Sequence, residues 1–567
     1  MNTATTPETT RAGRQAEVPV ARRTGLRREI GFIGLLWASA GSIIGSGWLF
    51  GAQKALIAAG PAAIISWGIG ALAIFLLALT HAELGGMWPV AGGTARFPHY
   101  AFGGAAGASF GWFSWLQAAT VAPIEVLAVI TYGQHYSFAK HWMKVSTGGT
   151  SVLTASGIVA AVILMAIFTS INFLGIRKLA HTNSAATWWK VGIPLLTIFV
   201  LAIVDFHGSN FHAADGFSPF GAKGVLSAIS TSGIIFALLG FEQADQLAGE
   251  SARPKRDIPR AVILSVIIGA VIYIALQIVF LGALPHSQIG HSWAHGAYTT
   301  MTGPFAQVAT LVGVGWLAAI LYVDAIISPG GTGLIYTTSS SRVSYGLSRN
   351  GYFPTVYEAT DRRGVPWFGL LTAFVVGCVC FLPFPSWTSL VGLITAASVL
   401  MYAGAPLAFG VFRRRLPTAE RPWRAPAGPV LAPLAFVVAN LLILWSGWDT
   451  DWRLGVAIAI GYVILALTRI FGWNARSPQL DLKAASWLPV YLLGMGVIVY
   501  LSDFGPLKNP VFPLWWDIVA VAIFSAIIYY WAIAVALPTH RIEEMIGDVV
   551  LPEEEGIAAD EPLARDV

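Results

Sequence analysis

Apolar residues come in long blocks along this chain, and polar residues are gathered into the short joints between them. Fourteen blocks read as helices of spanning length, at 32–55, 61–84, 106–134, 152–174, 184–204, 225–249, 259–283, 306–336, 366–384, 388–411, 428–446, 453–471, 486–502 and 514–536. About 20 apolar residues in a helix cross the hydrocarbon core of a bilayer. The pattern therefore predicts an all-α polytopic membrane protein.

Composition sharpens this reading. Hydrophobic residues make up 56% of the chain and charged residues only 11%, against roughly 25% charged in soluble domains. No soluble fold hides so much apolar surface, so the excess faces lipid. Many of the 22 tryptophans, among them Trp48, Trp88, Trp142, Trp473 and Trp515, lie near block ends and suit an interfacial belt. Cys378 and Cys380 share one apolar block, two residues apart, and cannot form a disulfide framework. The basic balance does not point to nucleic acid, because the basic residues sit in the joints. Residues 1–30 are polar and arginine-rich and lead straight into the first block, so no cleavable signal peptide is expected.

The joints set an orientation. With the N-terminus in the cytoplasm, alternate joints hold about 27 of the 34 Lys and Arg, including Arg22, Arg23, Arg27, Arg28, Arg177, Lys178, Arg253, Lys255, Arg256, Arg260 and Arg413–Arg415. The opposite joints hold about six, among them Lys140, Lys144, Lys223 and Lys508. Lys190 is left in mid-membrane. An even number of spans returns the C-terminus to the cytoplasm, where the acidic tail from Arg541 onward (Glu553, Glu554, Glu555) reads as disordered.

Two blocks have the wrong composition for plain helices. The first contains Gly41-Ser42-Ile43-Ile44-Gly45-Ser46-Gly47. Each glycine weakens a helix by roughly 1 kcal/mol relative to alanine. Freed backbone groups are tolerated in a bilayer only where protein or a water-filled cavity satisfies them. Gly41 and Gly45 are also four apart, a spacing that packs helices closely. The sixth block carries Phe236-Ala237-Leu238-Leu239-Gly240-Phe241-Glu242 and Asp245, then a proline-bracketed basic turn at Pro254–Arg260. Glycine-interrupted spans in corresponding positions of two halves point to a transporter site. Broken half-helices offer free N–H groups to a carboxylate and free C=O groups to an ammonium, and an α-amino acid carries both.

Gly45-Ser46-Gly47 after Ile44 resembles the first-span signature of amino acid–polyamine–organocation permeases. Gly240-Phe241-Glu242, Glu250 and Pro254–Pro259 resemble their sixth-span signature. Ala82-Glu83-Leu84-Gly85 with Pro89 and Gly92-Gly93 follows the second span, and Ser341-Arg342 with Ser348–Pro354 follows the eighth. The likeness covers roughly residues 28–415, and there is some overall likeness to bacterial aspartate–proton symporters. The resemblance implies a LeuT-like core of two inverted five-helix repeats, 31–205 and 206–415, with alternating access. A cytoplasmic tail (1–30) would precede it. About four accessory helices (416–538) and an acidic tail (539–567) would follow; the usual family member has twelve spans.

The resemblance places a substrate carboxylate at Gly41 and Ser42, with Gly45, Ser46 and Gly47 nearby. It places an aromatic gate at Phe236 and ammonium-binding carbonyls at Ala237 and Gly240. Glu125, inside the third span, is costly at that depth and falls on a substrate-facing position. It is expected either to carry a proton or to pair with a cationic group. Asp324 in the eighth span is a similar candidate nearer the outer end. Glu242 fits a proton-sensing or a capping role. Sodium-coupled transporters of this fold hold a cation between spans one, five and eight, and proton-coupled relatives carry a lysine there on span five. Lys190 looks like that residue, with Gly41 carbonyls and Thr332 as expected partners. The other reading is a structural charge paired with Glu242 or another carboxylate. His286, His291 and His295 read as solvated loop residues.

No P-loop, H-E-x-x-H or nucleophile elbow is present, so the chain does not read as an ATP-driven pump or an enzyme. The expected function is secondary transport of amino acids with protons across a bacterial inner membrane. No cofactor, metal or nucleic acid is expected; the partners are an amino acid, a proton and the lipid bilayer. An exchanger, a polyamine or cation transporter and a nutrient sensor are the other classes. The amino acid itself, acidic, neutral or cationic, stays open, as does the oligomeric state.

Overall fold

The computed structural model describes residues 30–89, 93–146, 151–173 and 176–547, with side chains of the last stretch from 186 onward. Arg22, Arg23, Arg27, Arg28, Gly92, the side chains of Arg177 and Lys178, and Glu553–Glu555 lie outside the described residues.

The first span is two helices, α1 (Phe32–Ile43) and α2 (Gly47–Ala59). Then come α3 (Ala63–Met87), a short α4 (Gly93–Phe102), α5 (Gly104–Gly133), α6 (Ala155–Asn172) and α7 (Ile176–Val204). A small antiparallel ribbon, β1 (Met143–Val145) and β2 (Ser151–Leu153), precedes α6 with Met143 opposite Leu153. The sixth span is in three pieces, α8 (Gly221–Thr231), α9 (Ile234–Leu238) and α10 (Gln243–Gln246). The seventh is α11 (Pro254–Gly282). After α12 (His286–Ile289) and α13 (Pro304–Leu311) come α14 (Gly315–Arg349) and α15 (Trp367–Cys380). The tenth span is α16 (Trp387–Tyr402) with α17 (Gly404–Arg415). α18 (Gly428–Ser446), α19 (Trp448–Ile470), α20 (Trp487–Leu501) and α21 (Trp516–Val535) complete the chain.

Among the described residues, ten helical stretches are long and apolar enough to cross a membrane, and α1, α15 and α20 are shorter apolar helices. The protein is a multi-pass membrane protein, all-α apart from the small ribbon. Burial separates centre from rim. The most apolar part of α5 is 94% buried and that of α16–α17 fully so, whereas that of α19 is 17% buried. The accessory helix α19 thus gives most of its surface to lipid, while α5 is walled by protein on all sides.

Two expectations shift. The eighth span, expected at 306–336, is displaced. Gly313 takes φ +82°, ending the α13 region, and α14 then runs on to Arg349 through a serine-rich stretch whose hydroxyls bond to their own helix carbonyls. The tail expected to be disordered from Arg541 is helical over 539–547. Ile542 is fully buried and Met545 and Ile546 pack beside it, a three–four spacing that gives this stretch one apolar face.

Candidate functional site

The two broken spans meet. Leu239 is extended and Gly240 takes φ +121°, so the sixth span turns sharply beside the break of the first. A Cβ on Gly240 would lie 2.8 Å from the backbone of Ser42 and Ile43, and one on Gly47 would lie 2.7 Å from the Ala237 side chain. Glycine is required at both places because the backbones touch. Ser39 ties the pair, donating to the Phe241 carbonyl at 3.0 Å and accepting from the Ala244 N–H at 3.1 Å.

The backbone groups released at the first break find named partners. Tyr273 on α11 donates to the Ile43 carbonyl at 2.8 Å. The Ser46 N–H donates to Glu125 Oε2 at 2.9 Å. Lys190 Nζ donates to the Gly41 carbonyl and, at 2.7 Å, to Thr332 Oγ1. One lysine on α7 thereby joins α1 to α14. Glu125, Lys190 and Thr332 are all buried. The carboxylates whose fields reach Lys190 are Glu125 on α5 and Asp324 on α14.

Beside this knot lies a small cavity, lined by residues that include Ser42, Gly45, Gly47, Glu125, Phe236 and Tyr336. Glu125 Oε1 has no hydrogen-bond partner there. Aromatic rings close one side. Phe236 meets Trp387 edge-on with centroids 5.9 Å apart, and Trp387 packs on Phe50 at 5.0 Å. The Trp387 indole also donates to Ser46 Oγ at 3.0 Å, pinning this lid to the first-span break.

The structure thus divides the expected residues into two groups. Ser42, Gly45, Gly47, Phe236 and Glu125 line the cavity. Gly41, Ser46, Ala237 and Gly240 stand behind its wall. The Gly41 carbonyl is taken by Lys190, Ser46 by Glu125 and Trp387, and Ala237 and Gly240 by backbone packing. Glu242 accepts four hydrogen bonds, from Gln117 (3.1 Å), Tyr336 (3.0 Å), Tyr402 (2.5 Å) and the Gly240 N–H (2.9 Å). It clasps the sixth-span break to α5, α14 and α16 and is not available to Lys190. Trp387 and Tyr336 were missed by sequence reasoning. Tyr336 carried a signal, standing four residues after Thr332 on the same face of a helix; Trp387 carried none.

Glu83, part of the motif after the second span, holds the other end of the core. It accepts from Arg413 at 3.0 and 2.5 Å and from the Ala425 N–H at 2.7 Å, and Arg421 lies 3.3 Å away. Across the same end, Arg342 and Glu250 approach to 3.4 Å.

A family described as amino acid permease matches residues 30–465. The chain is 36% identical to the glutamate/serine transporter AimA of Bacillus subtilis, over 92% of this chain and 96% of that protein. It is 32% identical to the aspartate-proton symporter of the same organism, over 92% of this chain and 99% of that protein. The branched-chain amino acid permease BcaP, also from Bacillus subtilis, is 27% identical over 78% of this chain and 93% of that protein.

Proposed function

The chain belongs to the amino acid permease family, and from that premise we propose that it carries a small polar amino acid together with a proton by alternating access. Its relatives are transporters, not enzymes. The observation that carries the proton is the seat of Lys190. Its ammonium occupies the junction of spans one, five and eight, where sodium-coupled transporters of this fold hold their cation. Charged, it draws the Gly41 carbonyl and Thr332 together; neutral, it releases them. That couples proton gain and loss to the approach of α1 and α14.

Substrate binding rests on the cavity. The N–H groups at the start of α2, beside Ser42 and Gly45, face a carboxylate with the positive end of the helix behind them. Leu239, extended where α9 ends and lining the cavity, would offer its backbone carbonyl to the ammonium. Glu125 Oε1 is left for the side chain. Two relatives that align along nearly the whole chain act, by their names, on glutamate, serine or aspartate. A small polar substrate fits those names and the polar groups, Ser42 and Glu125, that line the cavity. An acidic side chain would meet Glu125 in its protonated form, which donates rather than repels.

The proposal includes the two inverted repeats, 31–205 and 206–415, with 416–538 as accessory helices around them. It also puts both termini in the cytoplasm of a bacterium, with the chain in its inner membrane, a reading that the Lys and Arg bias supports.

Uptake into proteoliposomes tests this. Glutamate, aspartate and serine should accumulate under a pH gradient acid on the outer side, with no sodium present. Lys190→Ala should lose accumulation and keep binding. A sodium requirement, or a Lys190→Ala protein that still concentrates substrate, overturns the coupling.

A further inference from the structure

One buried acid reaches Lys190 without lining the cavity. Asp324 lies on α14, and Asp324, Ser328 and Thr332 are spaced four apart, so they stand above one another on a single helix face. All three are buried. Ser328 Oγ donates to Asp324 Oδ1 at 2.7 Å, and the Trp189 indole, from the residue before Lys190, donates to the same oxygen at 2.9 Å. Oδ2 accepts no hydrogen bond of ordinary geometry, with the Trp48 indole of α2 turned toward the carboxyl. One turn further along, Lys190 Nζ rests on Thr332 and beside Gly331, where a Cβ would lie 3.5 Å from it. Pro329 within α14 has no N–H, so the Ala325 carbonyl loses its helical donor and adds an acceptor beside Ser328.

The file continues toward the outer surface. Tyr132 on α5 feels the charge of Asp324. Its ring lies 6.0 Å from that of Tyr322, on which the exposed His135 stacks at 4.0 Å. The titratable groups facing Asp324 are therefore Lys190 from α7 and Tyr132 from α5, with Tyr322 reaching Asp324 only through Tyr132. Glu125 from α5 faces Lys190 from the cavity side.

We propose that Asp324 and Ser328 form the entry route by which a proton from the outer side reaches Lys190, a role that rests on the proton-coupled reading above. Asp324 takes a proton from the outer mouth. The Ser328 hydroxyl, bonded to the acid above, receives the carboxyl proton as it passes its own toward the amine one turn below, through a bridging water that gives up one proton to Nζ as it takes one from Ser328. One O–H bond breaks at Asp324 and one N–H bond forms at Lys190, leaving a carboxylate and an ammonium. The route stays clear of the substrate cavity, so proton entry does not compete with substrate entry.

The test uses the full chain in proteoliposomes, as wild type, Asp324→Asn, Asp324→Glu, Ser328→Ala and Lys190→Ala. Accumulation driven by a pH gradient is compared with counterflow exchange of substrate at equal pH. Positioned proton-transfer groups contribute about 10²–10⁴-fold, so Asp324→Asn should slow gradient-driven uptake by at least roughly tenfold and change its pH profile. Counterflow exchange should stay near wild type, Asp324→Glu should restore the drive, and Ser328→Ala should slow it. Asp324→Asn uptake with the wild-type rate and pH profile overturns the route. If Asp324→Asn does not insert, wild-type behaviour of Ser328→Ala overturns it. When the wild type is gradient-driven and depends on Lys190, such a result removes the route alone. Wild-type uptake indifferent to the pH gradient removes the coupling and the route together.

Discussion

Thr332 Oγ1 lies 2.7 Å from Lys190 Nζ and 3.4 Å from the Gly41 carbonyl that the same ammonium bonds. The hydroxyl and the carbonyl share one cation, so neither reports on Lys190 alone. Thr332→Val keeps the shape and removes the hydroxyl. A hydrogen bond to a charged group is worth about 1.5–3 kcal/mol, so the charged state of Lys190 should weaken by roughly that amount. The expected outcome is that gradient-driven uptake falls while counterflow exchange persists. Uptake of Thr332→Val with wild-type kinetics and pH profile would remove Thr332 from the coupling.

Gly240→Ala tests the junction of the breaks. Its φ of +121° is a region that side-chain-bearing residues rarely adopt, and its Cβ would press into the backbone of Ser42 and Ile43. Such strain costs of order 1–3 kcal/mol before the contact is counted. The variant should show a lower melting temperature in detergent and little transport, whereas Gly192→Ala, with open space around it, should match wild type. Equal melting temperatures for both would mean that the junction yields.

Much of this fold was legible because lipid leaves so few solutions. A long apolar run in a bilayer must be a helix, and glycines grouped within it must mark a break that protein satisfies. Gly45-Ser46-Gly47 and Gly240 were visible for that reason, and so was the place of Lys190, a charge with no loop to sit in. The misread features depend on contacts rather than composition. Gly313 looks like any spanning glycine until its φ is known. The helix over 539–547 exists because Ile542 finds a buried site on the core. The lid residue Trp387 was hidden among 22 tryptophans, most of which have ordinary reasons to be in a membrane protein. Glu242 could be read as sensor or cap, and its four donors, which no sequence pattern shows, support the cap.

Those donors make Glu242 a clasp. Glu242→Gln keeps the size and replaces one acceptor oxygen with a donor facing Tyr402 and the Gly240 N–H, or Tyr336 and Gln117. At least one buried donor is then unmatched, at about 1–3 kcal/mol or more for a charged acceptor. The melting temperature should fall, and the surviving protein should keep the wild-type pH profile of uptake. A changed profile at unchanged stability would return Glu242 to the coupling.

Glu83 makes a parallel case near the C-terminal end of α3. It is buried against Arg413 and Arg421, so removing it strands two cations. Breaking one side of a buried pair costs about 3–5 kcal/mol. Glu83→Ala should insert poorly, and Arg413→Met with Glu83→Met should recover part of the loss, because one stranded cation, Arg421, is then left instead of two. If the double variant is worse than either single, the ions act through something other than each other.

Glu125→Gln asks what the cavity reads. In the native chain Oε2 is committed to the Ser46 N–H, and only Oε1 faces the cavity. Glutamine can keep the Ser46 bond through its carbonyl oxygen, which turns its NH₂ group toward the substrate. The cavity group then always donates and never accepts. An ionised Glu125 that accepts from a serine hydroxyl would lose that contact, and leaving a buried polar group unmatched costs about 1–3 kcal/mol, or roughly 5–150-fold in affinity. A protonated Glu125 that donates to an acidic side chain would keep its contact, and glutamate or aspartate would no longer require the proton. The variant should therefore shift preference from serine toward acidic substrates, and acidic-substrate binding should lose its dependence on pH. Competition by serine, glutamate and aspartate against one labelled substrate, measured at acid and neutral pH, reads both effects. An unchanged order of competition at both pH values would mean that Glu125 serves only to hold Ser46.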